Sequence, residues 1–289
     1  MVYETLVAPF ADYAFMRRAL VGTIALSLGA APVGVFLLLR RMSLVGDAVA
    51  HGILPGAAIG FLLFGLQIMP MTIGGIIAGL TIAVAAGLVA RTTVLREDAS
   101  LAAFYLISLA FGVLIVSARG SSVDLMHVLF GTVLALDDTA LLILATTTTV
   151  SLIVLAAIIR TLIAECVDPS FLAVASGSGG IAHLLFLVLV VLNLVAAFQA
   201  LGTLLAVGLM MLPAASARMW ARSLELLMGT AVAIAIMASV AGLLVSYHLA
   251  LASGPAIILS AGAVYVVSLM IGRVSGLAWR ILPLPRREA

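Results

Sequence analysis

The chain has 289 residues, 65% of them hydrophobic and 9% charged, with a mean hydropathy of +1.35. Soluble domains carry about 25% charged residues, so a water-soluble fold is excluded and lipid must be part of this protein's solvent. The net charge of +2 comes with no lysine and no basic face of the kind a nucleic-acid reader needs, and the single cysteine, Cys166, excludes an internal disulfide and a cysteine-cluster metal site.

A membrane-spanning helix needs about 20 mostly apolar residues. The first 34 residues carry an arginine pair, an apolar run and an Ala-rich end, as a cleaved leader would. However, Arg17 and Arg18 come late and the apolar run continues through Leu39, which predicts a first membrane helix instead. Nine spans are expected, over roughly 16–39, 44–65, 70–90, 99–117, 138–160, 181–197, 199–217, 223–247 and 256–272. The two parts of 181–217 are short and abut at Ala197-Phe198-Gln199, so eight spans remain open. The segment 120–137, with Asp124 and His127, is too short to span and is expected to be interfacial or re-entrant. The fold expected is all-α and polytopic, one transmembrane domain over 1–289 with short loops and no phosphate-binding loop of its own.

Arginine placement sets the orientation. With the 161–180 loop in the cytoplasm, only Arg17, Arg18 and Arg119 fall outside, and the other eleven of the 14 lie inside. The N-terminus is then outside and the C-terminus cytoplasmic.

The stretch 40–56, RRMSLVGDAVAHGILPG, holds the most informative chemistry. Asp47 and His51 are four apart and share one helix face. At about 1.5 Å per residue they lie about 9 Å and about 15 Å beyond Arg41, in an apolar layer about 30 Å thick. Ionisable groups at that depth are costly and face a cavity or pathway. Carboxylate and imidazole are ligands for first-row divalent metals. One pair supplies two ligands, and two copies about a two-fold axis would supply four, which points to a homodimer with a shared, easily dismantled transit site. A mutual packing pair and a proton relay fit the same spacing. Pro55 and Pro213 each remove a backbone donor and are expected to kink their helices.

The other polar groups have blander readings. His183 is expected at a helix end, His248 beside Tyr247 as an interfacial anchor, Asp137-Asp138 as a helix cap or a cation lure, and Thr146–Thr149 as packing. The loop ECVDPSFLAVASGSGG at 165–180 differs in texture from the rest. Asp168-Pro169 is a helix start, and Gly177, Gly179 and Gly180 end the short helix that follows. A capped helix of this kind, projecting between two spans, suits contact with a separate ATPase; an ordinary surface loop fits equally.

RRMSLVGDAVAHGILPGAAIGFLL, REDASLAAFYLISLAFGVLIVS, the loop from Asp168-Pro169-Ser170-Phe171 to Gly177, QALGTLLAVGLMMLPAASAR and SYHLALASGPAIIL occur in the order found in the zinc/manganese/iron-type ABC transporter permeases, and residues 15–273 resemble that family. The resemblance implies an inner-membrane homodimer that receives a metal from a periplasmic binding protein and is driven by a cytoplasmic ATPase. It places Asp47 and His51 on the path and Asp168, Pro169, Phe171 and Gly177 in the ATPase-coupling segment. Ser170 departs from the acidic residue the family often has there. No cofactor is expected to be held permanently. The cargo is a divalent metal, with zinc favoured on ligand type and manganese or iron as alternatives. An ATP-independent cation transporter or channel is the competing class. An intramembrane enzyme lacks a second catalytic motif.

Overall fold

The computed structural model describes residues 2–65, 67–95, 97–118, 136–167, 179–274 and 276–277. Asp124, His127, Asp168, Pro169, Phe171 and Gly177 of the expected coupling segment, and Arg96, Arg119, Arg280, Arg286 and Arg287 lie outside the described residues.

The described residues form helices and no strands. They are α1 (Val2–Leu6), α2 (Ala8–Asp12), α3 (Ala14–Leu39), α4 (Val45–Gly52), α5 (Leu54–Phe64), α6 (Ile68–Thr92), α7 (Glu97–Ala118), α8 (Asp138–Val167), α9 (Gly179–Leu201), α10 (Thr203–Ala217), α11 (Leu224–Leu249) and α12 (Ser253–Ile271). Backbone polar groups cannot be left open to hydrocarbon, so an apolar chain of this kind satisfies them inside helices. Eight helical stretches are long and apolar enough to cross a membrane, α4 and α5 counting together as Val45–Phe64.

The expected division of 181–217 needs correction. α9 does not stop at Ala197; it runs through Leu201, and the chain reverses at Gly202, whose φ of 91° and ψ of 161° belong to a region only glycine enters freely. Ala197, Phe198 and Leu201 are all buried, and that packing carries the helix past the polar Gln199. α10 has 15 residues, about 22 Å of helix and too short to span. Among the described residues there are therefore eight helical stretches of spanning length and one shorter apolar helix.

α3 and α9 form the centre of the bundle, each with 72% of its apolar window buried inside the chain. α3 packs against α8, α9, α10 and α11. Its buried run from Gly29 to Leu37 includes Gly29, Ala30, Ala31, Pro32 and Gly34. Small residues of this kind let helix backbones approach closely in lipid, and Gly34 lies against the Met210 carbonyl of α10, where a Cβ would overlap it. Two polar side chains of this core bond across helices. Thr148 donates to the Ala25 carbonyl (2.8 Å) and Asn193 donates to Ser151 (2.7 Å), so of the threonine run of α8 Thr148 serves packing, while Thr146 and Thr149 are exposed and bond to carbonyls of their own helix.

Helix ends sort into two sets. At one end of the bundle Arg18 meets Asp138 (2.9 Å), Tyr13 stacks on Tyr247 (5.6 Å), and His248 Nε2 donates to the Thr5 carbonyl (3.0 Å). Asp137 accepts from the Ala140 N–H (2.8 Å) and so acts as the N-cap of α8. At the other end Arg40, Glu165 and His183 come together.

Candidate functional site

The turn that delivers the candidate site begins at the end of α3. The Arg41 N–H donates to the Leu38 carbonyl (3.2 Å) and the Met42 N–H to the Leu37 carbonyl (2.8 Å), while Arg41 sits at φ 59°. This is a Schellman closure with arginine in the left-handed position that glycine usually takes. Met42 and Leu37 are both buried and supply its apolar contact.

α4 then starts at Val45. Val45, Gly46, Ala48, Val49, Ala50 and Gly52 are buried, and Asp47 and His51 occupy the remaining face. Their side chains are 62% and 41% exposed, and His51 Nε2 lies 3.6 Å from Asp47 Oδ1. That separation is too long for a hydrogen bond, and the exposure leaves both groups uncovered by their own chain. A packing role is therefore disfavoured: the pair braces nothing within the protomer. Among the described residues no three His, Cys, Asp or Glu side chains gather to hold a metal. One protomer thus presents a carboxylate and an imidazole together on one exposed face of α4.

The end of α4 is held by its neighbours. Pro55, in the first turn of α5, has no N–H to give the His51 carbonyl. The Ser108 hydroxyl of α7 donates to the Gly52 carbonyl at 2.8 Å, an outside partner at the break, as re-satisfied helix breaks in membranes require. Pro55 also packs on Gly112, where a Cβ would lie 3.2 Å from its ring. Ser108→Ala should cost about 1–2 kcal/mol by leaving a carbonyl short of a donor, read as a lower thermal midpoint of the purified protein. Pro213 lies inside α10, buried, in a helix that continues through Ala217. Pro32 similarly lies inside α3, which continues through it to Leu39.

A second polar group was missed. Glu165 pairs with Arg40 and lies 3.6 Å from His183 Nδ1. His183 is 8% exposed, so it is part of a buried cluster and more than a helix-end residue. The available signal was Glu165 itself, a carboxylate at the end of a long apolar run.

Comparison with known proteins follows the same lines. The manganese import system permease protein ScaB of Streptococcus gordonii is 32% identical over 260 residues, 90% of this chain and 92% of its own length. The chelated iron transport system membrane protein YfeD of Yersinia pestis is 30% identical over 274 residues, 95% of this chain and 91% of its own. The structure of PsaBC from Streptococcus pneumoniae in complex with Fab matches with a TM-score of 0.81 at 32% identity, covering 94% of this chain and 97% of that one. The class so defined is a multi-pass ABC permease of the metal-importing type, a transport subunit and not an enzyme. Residues 12–272 match the ABC 3 transport family, and the chain belongs to it. The preference for zinc drawn from ligand type finds no support among these relatives, whose names give manganese and iron.

Proposed function

We propose that two copies of this chain form a permease that passes a divalent first-row metal, manganese in first place, across a bacterial inner membrane. The observation that carries the reading is the Asp47–His51 face: two metal ligands, exposed, on a helix otherwise buried. Across a two-fold axis two such faces supply four ligands. Carboxylate and imidazole suit manganese, iron and zinc alike. The manganese and iron permeases to which the chain is similar favour the first two. A site with so few ligands per chain is dismantled easily when the copies move, which suits transit and disfavours permanent binding.

The orientation follows from arginine placement, with the Arg40–Glu165 end cytoplasmic. In this reading the whole chain is one permease domain. Residues 168–178, with Asp168, Pro169, Phe171 and Gly177, meet a separate ATPase, and a periplasmic binding protein delivers the ion to the opposite end. The kinks at Pro55 and Pro213 let the helices rock without breaking their packing.

The experiment is to reconstitute the chain with its ATPase and binding protein, load the latter with manganese, iron or zinc in turn, and measure ATP hydrolysis. The expected result is stimulation by the manganese-loaded form above the others. Stimulation by iron or zinc alone would reassign the cargo. Uptake that proceeds without ATP would return the chain to the ATP-independent transporter class.

A further inference from the structure

The buried charges at the Arg40 end of the bundle have no part in holding the ion, yet their placement is specific. Arg40 follows the last residue of α3, and Asp47 is seven residues further along the chain. The Arg40 guanidinium pairs with the carboxylate of Glu165, near the end of α8, and the two side chains are 9% and 14% exposed. Its Cζ lies 5.1 Å from the centroid of the Phe186 ring on α9, which is itself edge-on to Phe36 of α3. His183, one turn before Phe186, approaches the same Glu165 oxygen. One carboxylate therefore holds the end of α8 against the second turn of α9 and against the turn that leads into α4.

A buried ion pair is poor evidence of stabilisation, because removing two charges from water costs about as much as their attraction returns. This pair is also incompletely made. Arg40 Nη1 and Glu165 Oε2 are both buried without a hydrogen-bond partner among the described residues, although a guanidinium and a carboxylate can form two parallel bonds. Buried polar groups are rarely left so. An arrangement that leaves one donor and one acceptor open is suited to re-pairing when the helix ends shift.

We propose that Arg40 and Glu165 are positioning residues that carry movement between the ends of α8 and α9 and the metal-bearing helix α4. The proposal rests on the reading above in which residues 168–178, between those two helix ends, meet the ATPase. A displacement of Val167 and Gly179 moves Glu165 and His183 together. Glu165 pulls on Arg40, and the Schellman closure at Arg40–Met42 makes the turn stiff enough to pass the shift to α4. The route from Glu165 to Arg40 and on to the turn before α4 is short and runs through a directional ion pair.

The test uses the reconstituted permease–ATPase complex and reads metal uptake per ATP hydrolysed. Both charges are removed together in Arg40→Met/Glu165→Leu, because apolar replacement of a whole buried pair leaves folding intact far more often than removal of one partner. The expected result is an assembled complex that hydrolyses ATP within about twofold of wild type while uptake per ATP falls at least about tenfold. Arg40→Lys keeps the charge but not the fork, and should lower the ratio less, with an unchanged thermal midpoint. A double variant that imports at the wild-type ratio overturns the proposal, as does one that fails to assemble, since either makes the pair a packing element. Failure of the underlying reading shows separately, on the unmutated chain, as uptake without ATP hydrolysis.

Discussion

Alanine at Asp47 or at His51 should reduce metal uptake by at least about 100-fold, beyond the cost of losing a partner that merely orients a metal ligand, while leaving the folded permease intact. The geometry separates the two effects. Both side chains are largely exposed and make no hydrogen bond to each other at 3.6 Å, so truncation opens no cavity and strands no buried partner. Substitutions of that kind are usually within about 0.5 kcal/mol of neutral. In a homodimer each substitution removes two ligands of four at once, which is why the effect on transport should be near complete. Uptake of radiolabelled manganese into proteoliposomes, set beside the thermal midpoint and the yield of the ATPase complex, checks both halves. Wild-type uptake in both variants would remove the site altogether. Loss of uptake accompanied by loss of assembly would show that the pair supports the dimer and would leave the ion's ligands to be found elsewhere. Asp47→Asn and His51→Gln, which keep shape but weaken ligation, should follow the alanines in uptake.

The shared face of Asp47 and His51 was legible because its signal is local. A carboxylate and an imidazole four apart in a greasy run need only helical geometry to be placed on one face, and the structure returns that face. The spans were legible for the same reason, since length and hydropathy act within one segment. Gly202 was not, because the polar Gln199 drew the boundary three residues early and only the burial of Phe198 and Leu201 shows that the helix runs on. The Arg40–Glu165–His183 cluster joins residues more than 100 positions apart. In the sequence Arg40 reads as one of many arginines marking a membrane face, and nothing local reveals its partner. Arg41 similarly reads as a charge, although its backbone closes α3 in a conformation that glycine would adopt more readily. What the sequence withholds is therefore mostly pairing between distant helices, and the coupling proposal comes from that pairing.

The second large effect is expected at Gly56, one residue after Pro55, in the span that carries Asp47 and His51. Gly56 of α5 and Gly74 of α6 meet backbone to backbone, and a Cβ on either would overlap the other's carbonyl oxygen. Neither carbonyl can retreat alone, because each belongs to a helical ladder, so an added methyl must push α5 and α6 apart. Overpacking a tight contact costs about 1–3 kcal/mol where side chains can adjust, and Gly56→Ala should reach the upper part of that range because the obstacle is backbone. Gly56→Val should exceed it and prevent recovery of folded protein. The consequence for transport follows from position. α5 is continuous with α4 through Ile53, and Pro55 is seated on Gly112 of α7, so a shift of α5 off α6 turns the end of α4 that carries His51. Gly56→Ala should therefore lower uptake by more than its loss of stability explains, measured at a temperature where the variant is fully folded. Gly229 gives the control: a Cβ there meets nothing within 4 Å, and Gly229→Ala should raise helix stability by up to about 1 kcal/mol with uptake unchanged. If Gly56→Ala matched wild type in both thermal midpoint and uptake, the close crossing of α5 and α6 would not be what holds the site in place.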